Sequence, residues 1–265
     1  MPEILWVNAA AVAGLMLALW CLSLILRDAS IVDPVWGLGF VIIAWITFAA
    51  AGPDARDWLP PVLCTVWGLR LSLFLAWRNH GQGEDARYAS MRDRHGQRFP
   101  LVSLFSVFGL QGAVMWIVSL PLQAAQSDAH AMLPLQLLGT AVWGIGFFFE
   151  AVGDGQLARF KANPGNKGRV MDQGLWRYTR HPNYFGDCLI WWGLFGVAFA
   201  TGAPWWTAVG PLVMTFCLLK FSGVTLLEKS LHESKPHYAE YAQRTSAFIP
   251  LPPSRASQQD DDPRR

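Results

Sequence analysis

The 265-residue chain is poor in charged residues, which make up 15% of it, where about 25% is usual for soluble proteins. Apolar residues make up 52%, and Trp alone occurs 14 times. The net charge of +2 is too small for the strong basic patch of a nucleic-acid-binding protein. These deficits exclude a disordered chain, a simple cytosolic enzyme and a nucleic-acid partner, and they leave a polytopic membrane protein.

Cysteine pairs and glycine-rich phosphate loops are also missing. The four Cys lie far apart in apolar runs without a CxxC pair, so we interpret them as small apolar side chains. The sequence has no GxGxxG, no P-loop and no nucleophile elbow, so a nucleotide cofactor would not be held by a Rossmann domain. GxxxG is absent from the apolar runs as well, and nothing therefore indicates the oligomeric state.

Long apolar runs are what the sequence has instead. A bilayer core needs about 20 apolar residues per helix. The first run is not a cleavable signal peptide, because no positive charge precedes it and it is too long. We therefore predict an all-α bundle of about seven transmembrane helices, at residues 4–26, 31–51, 58–77, 101–124, 133–153, 185–201 and 204–227.

The distribution of Lys and Arg predicts how this bundle lies in the membrane. With the N-terminus outside, eighteen of the 21 Lys and Arg residues fall in the cytoplasmic loops and tail, and only Arg56 falls in an outer loop. Positive charge is enriched in cytoplasmic loops, so we expect a cytoplasmic C-terminus. Residues 1–253 are interpreted as one transmembrane domain with a cofactor-binding half at about 133–253. Residues 254–265 are interpreted as a disordered polar tail.

Charged residues within the predicted spans are costly, and each is a functional hypothesis. Snorkelling to the membrane surface or ion pairing between helices is the alternative interpretation, and it is favoured for Lys220. If the fifth helix continues past residue 153, Glu150, Asp154 and Lys161 lie within about 40° of one another on one face. Two carboxylates and a cation on one face suit a polar ligand that has both donor and anionic groups.

The segment after the fifth span is densely basic. Arg presents a bidentate fork that fits phosphates, although anionic lipid headgroups would also account for such a cluster. Asn183 and Asp187 are four residues apart and would share a helix face. A metal pair of Glu228 and His232 lacks a third ligand, so we predict no metal site. The basic residues are Lys167, Arg169, Arg177, Arg180 and His181.

Two motifs in this region carry a resemblance to a known family. GLWRYTRHPNYFGD and the downstream EYAQRTSAFIP resemble the C-terminal domain of the steroid 5-alpha-reductase superfamily. The closer match is its bacterial branch of membrane proteins, which also shows IVDPVWGLGF, GEDARY and FEAVGDGQLARFK. The resemblance covers about residues 25–253, and residues 150–190 are its specific part.

The resemblance implies a seven-helix reductase that binds NADPH on the cytoplasmic side of a bacterial inner membrane. Such enzymes reduce a carbon–carbon double bond in a steroid or another apolar lipid. Lys161 stands where relatives usually have Arg, and Leu157 stands where sterol reductases have Lys. The implied cofactor residues are Glu150, Asp154, Lys161, Arg169, Tyr178, Asn183, Asp187, Tyr241, His232 and Arg244, to which the basic cluster adds Arg177, Arg180 and His181.

The catalytic acid is harder to assign from the sequence. Known steroid reductases place a Glu in an early helix and a Tyr in the next, but the second span here has no Glu. An acid near the substrate would protonate the carbon or polarise a conjugated carbonyl. The candidates are Tyr88, Glu84, Asp33 and Tyr184.

Two other functions remain open. The RHPxYxG motif followed by YxxYxxRxxxFIP also resembles membrane methyltransferases of the isoprenylcysteine carboxyl type, which bind S-adenosylmethionine. Asn183 and Asp187 favour the reductase. A structural or lipid-binding membrane protein is the third interpretation, and it would make Glu150, Asp154 and Asp187 ion-pair partners of Arg70 and Lys220.

Overall fold

The computed structural model describes residues 2–52, 57–125, 132–221, 228, 231 and 235–254. Within these ranges the chain is helical, and no strand pairing longer than an isolated bridge between Thr179 and Ser246 occurs. The predicted all-α class is therefore confirmed. Beyond Ser254, the predicted polar tail lies outside the described residues, and so does His232.

The α-helices are numbered in chain order. A 3₁₀ turn at Ala29–Ile31 precedes the second helix, and a π-helical segment at Leu104–Gly109 joins the fifth to the sixth. The helices are α1 (Pro2–Leu26), α2 (Val32–Ala50), α3 (Leu59–Asn79), α4 (Ala86–His95), α5 (Phe99–Ser103), α6 (Leu110–Val118), α7 (Leu120–Ala125), α8 (Leu133–Ala162), α9 (Pro182–Ala200), α10 (Val209–Phe216) and α11 (Tyr238–Arg244).

Five helical stretches of the described chain are long and apolar enough to cross a membrane. On α1, Trp6 and Ile25 are more than 70% exposed, as expected for side chains that face lipid. The stretches are Pro2–Leu26, Ala29–Ala50, Leu59–Asn79, Ala86–Val118 and Leu133–Ala162. They confirm a multi-helix membrane protein, while the orientation remains a prediction.

The helix boundaries differ from several of the predicted spans. The fourth stretch begins at Ala86 inside the predicted loop 78–100, because Asp85 caps α4 by accepting a hydrogen bond from the Arg87 amide. The sixth and seventh predicted spans coincide with shorter or more polar helices, α9 and α10. Seven spans therefore remain a prediction, of which five are supported.

The chain divides into two compact units, which alternate along the sequence. Unit 1 comprises residues 1–141 and 191–213, and unit 2 comprises residues 142–190 and 214–265. The core of unit 1 is aromatic: Phe40 on α2 packs against Trp67 on α3 and Trp191 on α9, and all three are fully buried.

A glycine pair allows α2 and α3 to approach closely in unit 1. A Cβ on Gly68 would lie 2.6 Å from the carbonyl oxygen of Gly37, and a Cβ on Gly37 would overlap the carbonyl of Gly68. Small residues at such crossings let backbones touch, which is how membrane helices pack tightly. This crossing lies one turn along α2 from Asp33.

Candidate functional site

Two buried carboxylates lie in unit 2, on the end of α8 that is predicted to face the cytoplasm. The helix runs from Leu133 to Ala162, so it extends beyond the predicted span 133–153 and meets the condition under which Glu150 and Asp154 share a face. At 1.5 Å per residue its 30 residues are about 45 Å long, which exceeds the hydrocarbon core. Glu150 and Asp154 are only 3% and 8% exposed. A buried carboxylate is costly unless it is paired, so this face of α8 is built to hold polar partners.

Glycines bring α9 into backbone contact with this part of α8. A Cβ on Gly186 would lie 2.5 Å from the carbonyl oxygen of Gly146 and 2.8 Å from the Cβ of Glu150, and still closer to the Glu150 amide nitrogen. A Cβ on Gly153 would lie 3.1 Å from the ring of Pro182. Pro182 begins α9, a position where proline is well tolerated. The polar first turns of α9 are thus held against the carboxylate face of α8.

An amide–carboxylate hydrogen bond joins the two helices at this crossing. The Nδ2 of Asn183 donates to Oδ1 of Asp154 at 3.1 Å, and the Oδ1 of Asn183 accepts from the Tyr184 amide. Asp187 lies one turn further along α9, on the same face as Asn183. The sequence-predicted residues Asp154 and Asn183 are therefore in contact.

The basic segment folds over the end of α8 through two side-chain anchors. The indole nitrogen of Trp176 donates to the carbonyl of Gly153 at 3.0 Å, and Gln156 accepts from the amide of Leu175 at 3.0 Å. Gly174 adopts φ +60°, and a Cβ there would collide with Gln156.

Four of the predicted cofactor residues remain exposed to solvent: Lys161, Arg169, Arg177 and Tyr178.

Arg180 lies inside unit 2 and is engaged with the C-terminal segment. Its Nε donates to Glu228 at 2.7 Å, and its Nη1 donates to the carbonyls of Ala242 and Thr245, both at 2.7 Å. The Arg180 side chain is 11% exposed and the Glu228 side chain 19%. This arginine clamps two distant segments together, which sets it apart from the exposed arginines of the same cluster.

His181 is buried beside this clamp, with 1% of its surface exposed. Its ring is stacked on Tyr184 at 5.4 Å, and its Nε2 lies 3.2 Å from the same Glu228 oxygen. Burial lowers the pKa of His181, and the Glu228 carboxylate offsets that only in part. Burial raises the pKa of Glu228, but the hydrogen bonds and charges of Arg180 and His181 together outweigh it and leave the pKa lowered.

These two groups predict how stability depends on pH. Since the folded chain keeps His181 neutral, only the unfolded chain takes up its proton near pH 6.5, and stability falls as the pH drops through that value. The contribution of ionised Glu228 is present above about pH 4.5 and is lost as the pH falls toward its lowered pKa. We expect the thermal unfolding midpoint to fall in both windows.

His181→Phe, which keeps a ring against Tyr184, should flatten the first window, and the exposed His237→Phe is the matched control. The midpoint is measured by circular dichroism in detergent from about pH 8 to about pH 4. An unchanged slope between about pH 7.5 and pH 6 in His181→Phe would contradict this assignment.

Tyr241 and Arg244 on α11 also have protein partners. The hydroxyl of Tyr241 donates to the carbonyl of Trp176, and Arg244 pairs with Asp172 in a half-exposed ion pair. Burial raises the pKa of Tyr241, so its hydroxyl stays protonated. These contacts fix α11 onto the basic segment, and they were not visible from the sequence.

Three of the candidate acids lie in unit 1, where Asp33 and Tyr88 form a hydrogen-bonded pair. The Tyr88 hydroxyl donates to Asp33 at 2.9 Å and accepts from Nε2 of Gln111 at 3.2 Å. Arg87 pairs with Asp33 at 3.1 Å. Tyr88 is 8% exposed. Sequence reasoning missed Gln111, although an amide side chain within an apolar run was a signal that could have found it.

Glu84 has a different environment from the other acids. Its carboxylate accepts from the Ala29 amide at 2.8 Å and from two nitrogens of Arg92 at 2.8 and 2.9 Å. The Arg92 hydrogen bonds lower the pKa of Glu84, although partial burial acts against them. A carboxylate held ionised by three donors ties the loop before α4 to the turn after α1. The fourth candidate, Tyr184, lies in unit 2 against His181.

No three His, Cys, Asp or Glu side chains of the described ranges come together as metal ligands. Glu228 is bonded to Arg180 and His181, and its predicted partner His232 lies outside the described residues.

Comparison with known proteins gives two findings. A family model described as "Protein of unknown function (DUF1295)" matches residues 19–245. The chain is also similar to 3-oxo-5-alpha-steroid 4-dehydrogenase 1 of Bos taurus, at 28% identity over 134 residues. That alignment covers 48% of this chain, which spans about half (47%) of the length of the curated relative. No solved structure gives a significant match.

Proposed function

Because this chain belongs to the DUF1295 family and resembles a steroid dehydrogenase, we propose that it is a membrane-embedded, NADPH-dependent reductase of a carbon–carbon double bond. The substrate would be a steroid-like or other apolar lipid. The observation that carries the proposal is the partly buried hydrogen bond of the buried Asp154 with Asn183, which joins α8 to α9. Buried polar groups in such helices mark ligand sites by default.

The donors and acceptors of unit 2 fit a nicotinamide nucleotide. Carboxylates accept hydrogen bonds from ribose hydroxyls and from a carboxamide, and an amide side chain can both donate and accept. We assign the nicotinamide ribose and carboxamide to Glu150, Asn183 and Asp187, next to Asp154. When bound, NADPH supplies a hydride, and the protein supplies position and electrostatics.

The exposed cations of unit 2 suit the phosphates of such a cofactor. Lys161 lies seven residues beyond Asp154 on α8, about 10 Å along the helix axis. The carboxylates and the cations are thus separated along the helix, so that the first can bind the ribose and carboxamide of a dinucleotide and the second its phosphates. Arg169 and Arg177 are exposed and close in sequence, so we assign the phosphates to them and to Lys161. Arg180 and His181 position the C-terminal segment instead.

The Asp33–Tyr88 pair is the acid that the geometry of unit 1 supports best. The hydroxyl proton of Tyr88 points to the Asp33 carboxylate. Gln111 donates a hydrogen bond to the Tyr88 oxygen and so fixes its position. A polar end of an apolar substrate could exchange hydrogen bonds with this group. Glu84 already accepts hydrogen bonds from three donors, which fits a structural role.

Thermal stabilisation by ligands tests the proposal directly. We expect NADPH to raise the unfolding midpoint of the detergent-purified protein, since a ligand at a hundredfold excess over its Kd adds about 2.7 kcal/mol of stability. Asp154→Asn removes a buried charge next to Asn183 and should weaken NADPH binding by about tenfold or more. Glu240→Gln, which changes an exposed carboxylate of the same unit, should leave binding unchanged.

NADH, S-adenosylmethionine and buffer are measured alongside. A shift with S-adenosylmethionine alone would assign the protein to the methyltransferases. No shift with any ligand in folded protein would leave a structural or lipid-binding role, and the reductase proposal would fail.

A further inference from the structure

Apolar side chains are exposed near the end of the described part of unit 2. Ile249 is 60% exposed and Leu251 is 54% exposed, and Tyr178 beside them is 44% exposed. The chain that carries them is held in place by hydrogen bonds. The Leu251 amide donates to the Tyr178 carbonyl at 3.0 Å. The Thr179 hydroxyl donates to the Phe248 carbonyl at 2.8 Å. We call Tyr178, Ile249 and Leu251 the C-terminal apolar patch.

The backbone beside this patch is suited to contact with lipid. The interior of a bilayer offers no partner for a backbone N–H group, so each unsatisfied one is costly there. Three of the residues 250–253 are proline, which has no N–H group. The fourth is Leu251, and its N–H already donates to the Tyr178 carbonyl. Residues 250–253 can therefore face lipid without leaving a backbone donor unsatisfied.

A row of phenylalanine rings connects the patch to the membrane-crossing part of α8. Phe248 contacts Phe185 of α9 with the ring centroids 5.9 Å apart, and Phe185 contacts Phe149 of α8 at 5.2 Å. Phe149 lies near the cytoplasmic end of the predicted span 133–153. Its neighbour Phe148 is 52% exposed, as expected for a side chain that faces lipid. Phe248 thus holds the chain just before Ile249 close to the predicted edge of the membrane.

We propose that the C-terminal apolar patch lies in the interfacial region of the bilayer, where headgroups meet acyl chains, and that it anchors unit 2 to the membrane. Tyrosine is enriched at that depth, because its ring is apolar and its hydroxyl is polar. The exposed side chains of Ile249 and Leu251 are stabilised by leaving water. The proposal gives Tyr178 a membrane role in place of the cofactor role that the sequence predicted.

Two observations favour lipid over a second copy of the chain as the partner. The row of rings makes the patch continuous with a part of α8 that already faces the bilayer. The patch is also small: a large aromatic side chain buries about 150 to 250 Å², so three partly exposed side chains fall short of the roughly 800 Å² per partner of a standard protein interface. The inference rests on exposure and packing, and not on the proposed reductase activity.

The experiment uses the full-length protein in vesicles of phosphatidylcholine and phosphatidylglycerol. A benzophenone amino acid replaces Ile249 in one variant and Leu251 in another, and illumination bonds it covalently to whatever C–H group it touches. Both positions are exposed, so the larger side chain is expected to leave the fold intact. An unchanged thermal unfolding midpoint checks this, and mass spectrometry identifies the product as a lipid adduct, a cross-linked dimer or an internal cross-link.

Ala162 is the matched control position. It is the exposed last residue of α8 and lies 13 residues beyond Phe149, which is about 20 Å further along the helix axis. We expect about tenfold more lipid adduct at Ile249 and Leu251 than at Ala162, because burial of one large aliphatic side chain favours the inserted state by that factor or more.

Lipid adducts at both patch positions, in that excess over Ala162, support the proposal. A cross-linked dimer without lipid would assign the patch to an interface between copies and overturn it. Internal cross-links alone would mean that the chain covers its own patch, and equal lipid adduct at Ala162 would mean non-specific labelling. Either result overturns the proposal, and so does an unreacted benzophenone at both positions. NADPH enters none of these measurements, so the reductase proposal stands or fails separately.

Discussion

Arg180→Leu is expected to destabilise the protein by about 3 kcal/mol. The substitution leaves the carboxylate of Glu228 without its 2.7 Å partner, and it leaves the carbonyls of Ala242 and Thr245 without their donor. Removing one member of a largely buried ion pair costs more than the pair itself contributes, because the remaining charge keeps its desolvation penalty. The change is read from denaturant unfolding in detergent micelles.

A double variant tests this reasoning internally. Arg180→Leu combined with Glu228→Leu removes both charges, so it should recover part of the stability that the single change loses. Arg177→Gln removes an exposed arginine of the same cluster and should leave stability within about 0.5 kcal/mol. A stable Arg180→Leu protein that no longer binds NADPH would show that this arginine is a cofactor ligand and not a clamp.

Gly186→Ala should also be strongly destabilising, by about 3 kcal/mol, and it should impair cofactor binding as well. The added methyl group would overlap the backbone of α8 at Glu150 and Gly146, which cannot rotate away as a side chain could. Overpacking of this kind typically costs about 1 to 3 kcal/mol. Opening the crossing would also separate Asn183, one turn before Gly186, from Asp154.

Gly144→Ala is the control for this prediction. It lies on α8 two residues from Gly146, and a Cβ there would meet nothing within 4 Å. Alanine is favoured over glycine inside a helix, so this variant should be neutral or slightly more stable. If Gly186→Ala unfolds at the same denaturant concentration as Gly144→Ala, the backbone contact between α8 and α9 is wrong.

The helices and the residues that share a helix face could be predicted from the sequence, because both depend on residues that are close together along the chain. The apolar runs predicted the membrane helices, and the spacing of Glu150 and Asp154 predicted that both would share one face if the fifth helix continued past residue 153, which it does. The spacing of Asn183 and Asp187 placed them on one face in the same way. Helical periodicity repeats every few residues, so a short window contains the information.

The partners of the polar groups could not be predicted, because they come from distant parts of the chain. Arg180 and Glu228 are 48 residues apart, and Asp33 and Tyr88 are 55 apart. In the sequence, Arg180 is one more cation in a basic cluster. Only the fold separates this buried arginine from the exposed Arg169 and Arg177.

The candidate acids could not be ranked from the sequence for the same reason, because their hydrogen-bond partners come from other parts of the chain. Glu84, Asp33 and Tyr88 are all titratable candidates in the sequence, but in the structure the Glu84 carboxylate already accepts from three donors. Lys235 lies far from Lys161 and Lys167 along the chain, but the three lysines line one cleft of unit 2 in the structure.

The contacts of residues 246–251 also determine when unit 2 can be completed during synthesis. The amide of Arg180 donates to the carbonyl of Ser246, the hydroxyl of Thr179 donates to that of Phe248, and the amide of Leu251 donates to that of Tyr178. A growing chain folds from its N-terminal side, so the basic segment leaves the ribosome well before its partners do. Unit 2 therefore cannot form these hydrogen bonds until residue 251 has been synthesised.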